Sequence, residues 1–481
     1  MVITNQLKNQ HLLWRAGFGP AVSDMDNLQN STAATLLKNL LNSSGKTPAY
    51  IDVASDSVKN AIMMNMQEGG RRQALDESQR RMLRQQSQQD LRNLNLTWMK
   101  QMINSDEQLR EKMSLFWHGH FACRTQQIIH QQQLLDVIRR NALGNFGDLL
   151  REVSKSAAML NFLNNNQNRK DHPNENFARE VMELFTMGRG NYTEDDIKEA
   201  ARAFTGWGAT PNGEFTFRRQ QHDTGTKKVL GKSGNFDGDD VLNILLTHTQ
   251  TATYITRKIY RYFVNDIPDE NQVALLAKRF YQSNYNITDL MTAIFSADWF
   301  YDARNIGCKI KSPVELITGI RRALPMTITN EDSQLLLQRL LGQILFYPPN
   351  VAGWPGGKNW IDSSSLMLRM RIPQMFYASE ELNMKPKDDD DQMMGMKDKP
   401  AAGGRRGGQN IAASIDWTNY LQHLSQVPRE KLVTAISSSL LQTDAGMNAS
   451  ALAKFTDNTS RESFIKTTTV QLMSTPEYQL C

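Results

Sequence analysis

The sequence predicts a mainly α protein: a large multi-helix body with a small β-hairpin, then a flexible linker and a C-terminal helical segment. Three observations predict it. Apolar residues recur at three- and four-residue spacing along most of the chain, the period of a helix with one buried face. Two-residue alternation is confined to the neighbourhood of Phe215 and Phe217. One stretch, residues 384–410, loses the period and is rich in Asp, Met and Gly, the composition of a linker.

Each element has its own grounds. Helices are expected around residues 108–117, 133–143, 250–263, 270–282 and 287–296. Phe177, Val181, Leu184 and Phe185 fall at i, i+4, i+7 and i+8, and Asn174, after Pro173, is placed to cap their helix. The next helix opens with Thr193 as N-cap and acids at 194–196, buries Ile197, Ala200, Ala201 and Phe204, and ends at Gly206. Phe215 and Phe217, followed by Lys228 to Leu230, suggest the hairpin, with His222, Asp223 and Gly225 at its loop. The domain boundaries follow: residues 1–378 as the main helical domain, 379–412 as the linker, and 413–481 as a helical segment packed back on the body. Within the main domain, residues 64–92 are rich in Gln and Arg and read as an exposed or partly ordered helix. Asp388 to Asp391 lack the alternating ligands of a calcium loop and read as a solvated acidic turn.

Bulk properties exclude several classes. At 481 residues, 40% hydrophobic and 22% charged, the chain can fold around a sizeable core. Fifty-five Lys and Arg against 50 Asp and Glu is a weak basic excess with no long basic block, so nucleic acid is not an expected partner. No run approaches the roughly 18–20 apolar residues of a membrane helix. Residues 1–10 carry only Lys8 as a charge and lack the apolar core of a secretory signal. Cys123, Cys308 and Cys481 form neither zinc-type spacing nor a disulfide framework, which fits a reducing, cytoplasmic compartment. Export beside a signal-bearing partner to the periplasm is the alternative.

Four polar motifs could carry chemistry. His118 and His120 flank Gly119, which favours a break from helix: on extended backbone both could bind one metal, whereas on a helix they would sit about 200° apart. Glu180 and Glu183 share a helix face. Arg179 is spaced to pair with Glu175 or Glu183, so the three form either a base with an anion-positioning arginine or an ion-pair network. His222, Asp223 and Lys227 surround Gly225 in a loop that either binds a ligand or caps its own backbone. The Pro- and Gly-rich loop from Pro348 to Trp360 holds Trp354 and Trp360, which either line a pocket or bury against the helices. Gly353 to Lys358 is one residue short of a phosphate loop and has Asn359 where Ser or Thr would be required. Hydrolase-elbow, zincin-helix and dinucleotide signatures do not occur.

Taken in order, these motifs resemble a bacterial family, domain of unknown function 1800. The resemblance starts at His11-Leu12-Leu13-Trp14-Arg15-Ala16-Gly17-Phe18-Gly19 and continues through 116–121, 174–176, 192–196, 205–207, 222–225, 311–315 and 348–360 to 474–480. It covers essentially the whole chain and implies no particular reaction. It implies a partner related to sulfatases and alkaline phosphatases, often carrying a twin-arginine export signal. Cys123 stands where many relatives have Thr, which counts against a ligand set of His118, His120 and Cys123.

Two functional expectations result. In the first, His118, His120 and His222 bind a divalent metal (zinc, iron or manganese), Glu180, Glu183 and Asp223 act in catalysis, and Arg179, Lys227 and Trp354 contact substrate in a hydrolase-like pocket. In the second, the same residues form a structural ion-pair network in a non-catalytic scaffold or partner protein.

Overall fold

The structure, a computed structural model, describes residues 3–67, 76–379, 381–382, 409–443, 452 and 454–481. The protein is mainly helical. Its described residues form 21 α-helices and four two-stranded antiparallel sheets. The expected Asp388–Asp391 turn and nearly all of the 384–410 linker lie outside them.

Two buried apolar clusters organise the helices. One gathers Leu12, Phe116, Trp117, Phe177, Phe204 and Ile259. The other gathers Trp14, Trp98, Leu115, Ile317, Phe346 and Tyr478. The helix Gln108–His120 contributes to both, and every residue in it except Gly119 is buried. Its sequence also carries Arg110, Glu111 and Lys112, and charges at such a depth need partners. Arg139 bonds Glu111 at 2.8 Å, Trp98 donates to the same carboxylate at 2.8 Å, and Lys112 pairs with Glu315.

The C-terminal residues join the second cluster through Trp417, Tyr420, Leu432, Ile436 and Ile465. Strand Ala413–Ile415 pairs with Met326–Ile328. Residues 309–311 run antiparallel to 479–481, with Lys309 and Cys481 exchanging backbone bonds of 3.1 and 2.8 Å. In the Gln- and Arg-rich region, the helix Glu77–Asn104 opens with a capping box between Asp76 and Gln79, stays largely exposed for its first turns, and is buried at intervals from Ser87.

Three local expectations are corrected. The chain does not leave the helix at Gly119: it continues to His120, closed by Phe121 donating to the Trp117 carbonyl at 2.8 Å. Glycine costs a helix about 1 kcal/mol, and burial of Phe116 and Trp117 on either side of the turn outweighs it. The single hairpin is two. Trp207–Ala209 pairs with Phe215–Phe217, and Lys227–Val229 pairs with Lys232–Gly234 around Leu230 and Gly231, both at positive φ. His222, Asp223 and Gly225 therefore lie in the connection between two hairpins. Finally, the helix capped by Asn174 is α only over Glu175–Glu180 and becomes a π-helix over Val181–Met187, where the Thr186 hydroxyl donates to the Val181 carbonyl at 2.7 Å. The following helix, Glu194–Ala203, opens with the expected cap, a box between Thr193 and Asp196.

Candidate functional site

The motif residues separate into two places. Around the π-helix, charges are paired. Arg179 bonds Glu194 at 2.8 and 2.7 Å and Glu175 at 3.2 Å. Glu183 accepts from Tyr192 at 2.5 Å and from Arg189. Burial alone would raise the Glu183 carboxyl, but these two donors hold it below the usual carboxylate range. Glu180 is half-buried, and burial together with Glu183 raises it. In the inter-hairpin connection, Arg202 clamps Asp223 at 2.7 and 3.2 Å, which lowers that carboxyl. The His222 Nδ1 donates to the Thr205 carbonyl at 3.0 Å. Lys227 is buried and donates to the Asp223 and Gly225 carbonyls at 2.5 and 3.1 Å. Apart from Glu180, the charges in these segments are thus paired within the protein.

The second place is a cavity of about 440 Å³. His120 and Trp354 line it, and His118 lies beneath Trp354 with ring centroids 5.5 Å apart. The helix Gln108–His120 forms its floor. The Pro348–Trp360 loop lies over that floor so closely that a Cβ on Gly353, at φ +82°, would collide with the Gly119 carbonyl. A Cβ on Gly119 itself would meet nothing within 4 Å, so the floor at this position faces open space. The loop is tied down at its root, where Phe346, at φ +69°, donates its N–H to His118 Nε2 at 3.1 Å. Burial holds the His118 ring neutral, down to about 3.

His120 and His118 emerge two positions apart on one helix, so they meet different neighbours. The His120 Nε2 reaches the Phe185 carbonyl at 3.2 Å, so it carries the proton and leaves Nδ1 as a buried acceptor without a partner. Burial first, then the Lys258 charge, keeps this ring neutral as well. Cys123 is buried in the first apolar cluster, and burial pushes its thiol up. Among the described residues, no hydrogen bond or ion pair joins His118 or His120 to a side chain of Glu180, Glu183, His222 or Asp223. No group of three or more His, Cys, Asp or Glu side chains there could hold a metal ion.

Apart from Lys358 and Asn359 of the loop, the cavity's remaining polar wall comes from residues outside the polar motifs. Lys258, Arg261 and Tyr262 project from the helix Thr249–Phe263, and Asp266 and Lys309 close one side. Lys309 pairs with Asp266 and donates to the Arg261 carbonyl at 2.7 Å. Glu315, in the first turn of the helix Pro313–Ala323, is taken by Lys112 and by the Ser312 N–H at 2.6 Å. Burial would raise the Glu315 carboxyl, but Lys112 and Ser312 bring it to about 2. Both acids lining the cavity are thus engaged. Lys258, Arg261 and Lys358 have no carboxylate partner among the described residues. The Tyr262 hydroxyl is also buried without a partner. In the sequence, Tyr254, Lys258 and Arg261 only follow helical spacing, as a solvated face does. Nothing local distinguishes a cavity wall from a wet surface.

Fold and site together define a mainly helical protein with a cation-lined, aromatic-roofed cavity between its two cores. The chain belongs to the family described as "Protein of unknown function (DUF1800)", which it matches over residues 11–480. No curated protein and no solved structure matches it. Among the described residues, no helix is long and apolar enough to cross a membrane.

Proposed function

We propose that the protein recognises a small organic anion in this cavity, with Arg261 and Lys358 as the groups that hold its charge. One observation carries the reading: the cavity's two carboxylates are already paired, which leaves three cations facing it without a counter-charge. Unneutralised cations in a walled cavity focus potential on an incoming anion. Trp354, Trp360 and Phe116 add apolar surface, so the ligand carries a carbon body beside its charge. This reading uses no metal, because the candidate ligands His118, His120 and His222 do not come together. A sulfatase- or phosphatase-like partner is compatible with it, since such enzymes also handle anions.

The test is titration of the purified protein with lactate, gluconate, phosphate and sulfate, followed by calorimetry and thermal melting. At least one of them should bind saturably, and Arg261→Met should weaken it about tenfold, the size of one lost charge-assisted contact. Lys278→Met, on an exposed helix face, should leave binding unchanged. If no anion raises the melting temperature beyond sodium chloride of equal ionic strength, the proposal fails.

The scaffold reading has its own observation. The Arg179, Glu183, Arg202 and Asp223 contacts pair these charges within the protein, as a structural network would. It accounts for that region and leaves the cavity unexplained.

A further inference from the structure

Lys258 differs from the other lysines around the cavity. Lys309 has Asp266, Lys112 has Glu315, and Lys358 is exposed. Lys258 is partly buried, has neither a carboxylate nor a hydrogen-bond acceptor among the described residues, and sits 5.4 Å from the Tyr254 ring centroid. Arg261 follows it by three residues on the same helix, so a second cation stands beside it. Lysine that is short of water and next to another cation gives up its proton more readily, and the amine so freed attacks carbonyl carbon. Burial first and Arg261 second bring Lys258 down to about 8. Lys311 shows why this shift is not sufficient on its own. It is pushed down to about 7, yet it is clamped between the Trp14 and Tyr478 rings, 3.6 and 3.7 Å from their centroids, and fully buried. Among the described residues, Lys258 combines a readily freed amine with a place on the wall of a cavity that a ligand can enter.

We infer that Lys258 is a nucleophile that captures the carbonyl carbon of an oxo acid as an imine, while Arg261 holds the acid's carboxylate. This rests on the anion-binding reading and names its ligand class. The Nζ lone pair forms the C–N bond as the carbonyl π pair moves to oxygen, which takes up a proton. That oxygen then leaves as water, and C=N forms as nitrogen gives up its proton. Amine plus carbonyl becomes imine plus water, with no oxidant or reductant. Once it takes up a proton from water, the imine withdraws electrons from the neighbouring bond, so the activity class is C–H or C–C bond cleavage next to the captured carbon.

The experiment incubates the full chain with pyruvate or phenylpyruvate, reduces it with cyanoborohydride, and maps adducts by peptide mass spectrometry. The expected result is an adduct concentrated at Lys258, suppressed by excess lactate and absent from Lys258→Arg. A cooperative melt of this variant checks that it folds, and Lys278→Arg, on an exposed helix face, should keep the Lys258 adduct. Adducts spread evenly over exposed lysines, or no adduct with either acid, would overturn the imine. If lactate binds while Lys258 stays unmodified, only the imine falls. If neither the oxo acids nor any anion of the titration binds, the anion reading has failed too.

Discussion

The π-helix network and the cavity treat charge in opposite ways. Around the π-helix and in the inter-hairpin connection, Glu183 and Asp223 each rest on an arginine that is more exposed than its acid. Around the cavity, both acids are paired, Glu315 in the interior and Asp266 nearer the surface, and the unpaired groups are cations. The polar motifs that stand out in the sequence fall mostly in the first region, whereas the cations without a carboxylate partner line the second. The lesson is about locality. Pairs such as Arg179 and Glu175, four residues apart, can be read along one helix, whereas the cavity is assembled from segments more than two hundred residues apart.

The sharpest way to break this contrast is Glu315→Gln. Glu315 and Lys112 are both buried, and removing one partner leaves the other's charge without compensation. The expected loss is about 3–5 kcal/mol in urea denaturation. A loss no larger than that of an exposed pair would remove the distinction between cavity wall and surface network.

The next effect is a pH dependence. His118 is neutral in the fold, held down to about 3, while an unfolded histidine titrates near 6.5. Below about 6.5 the unfolded state binds the additional proton, so stability falls with falling pH and levels off near the folded value. By pH 5 the loss from this one ring is about 2 kcal/mol. His11 and His120, also buried and lowered, add to the slope. His118→Phe removes one such ring, so its stability should change less between pH 7 and pH 5, as followed by thermal melts. An equal slope in the variant would show that His118 titrates normally.

Much of the fold was legible because its signals are local. The Thr193 cap, the Ile197–Phe204 stripe and the helices beginning at 249, 270 and 287 need only neighbouring residues. Where the reading departed, a distant contact decided. The Gly119 break lost to packing on both faces of its helix. The hairpin at Phe215 found an earlier partner, Trp207–Ala209, where a later one was expected. Of the nine candidate site residues, the structure puts His120 and Trp354 on the cavity and His118 directly beneath it. Lys258 and Arg261 were overlooked because a charged stripe on a helix looks the same whether it faces water or a cavity.

The smallest expected effect belongs to Arg179→Met, and it tests the comparison from the other side. Arg179 is 34% exposed and its partners Glu194 and Glu175 are 65% and 38% exposed, so water already screens these contacts. Such pairs contribute about 0–1 kcal/mol. Urea denaturation should therefore show a loss within that range, shrinking further in about 1 M salt, where screening acts over roughly 3 Å. Anion binding measured on the same variant should be unchanged, because Arg179 does not line the cavity. If Arg179→Met were to abolish a binding that Arg261→Met spares, the ligand's charge would be held at the acidic helix face. The paired network would then be the site, and the cavity cations would be the groups lacking a role.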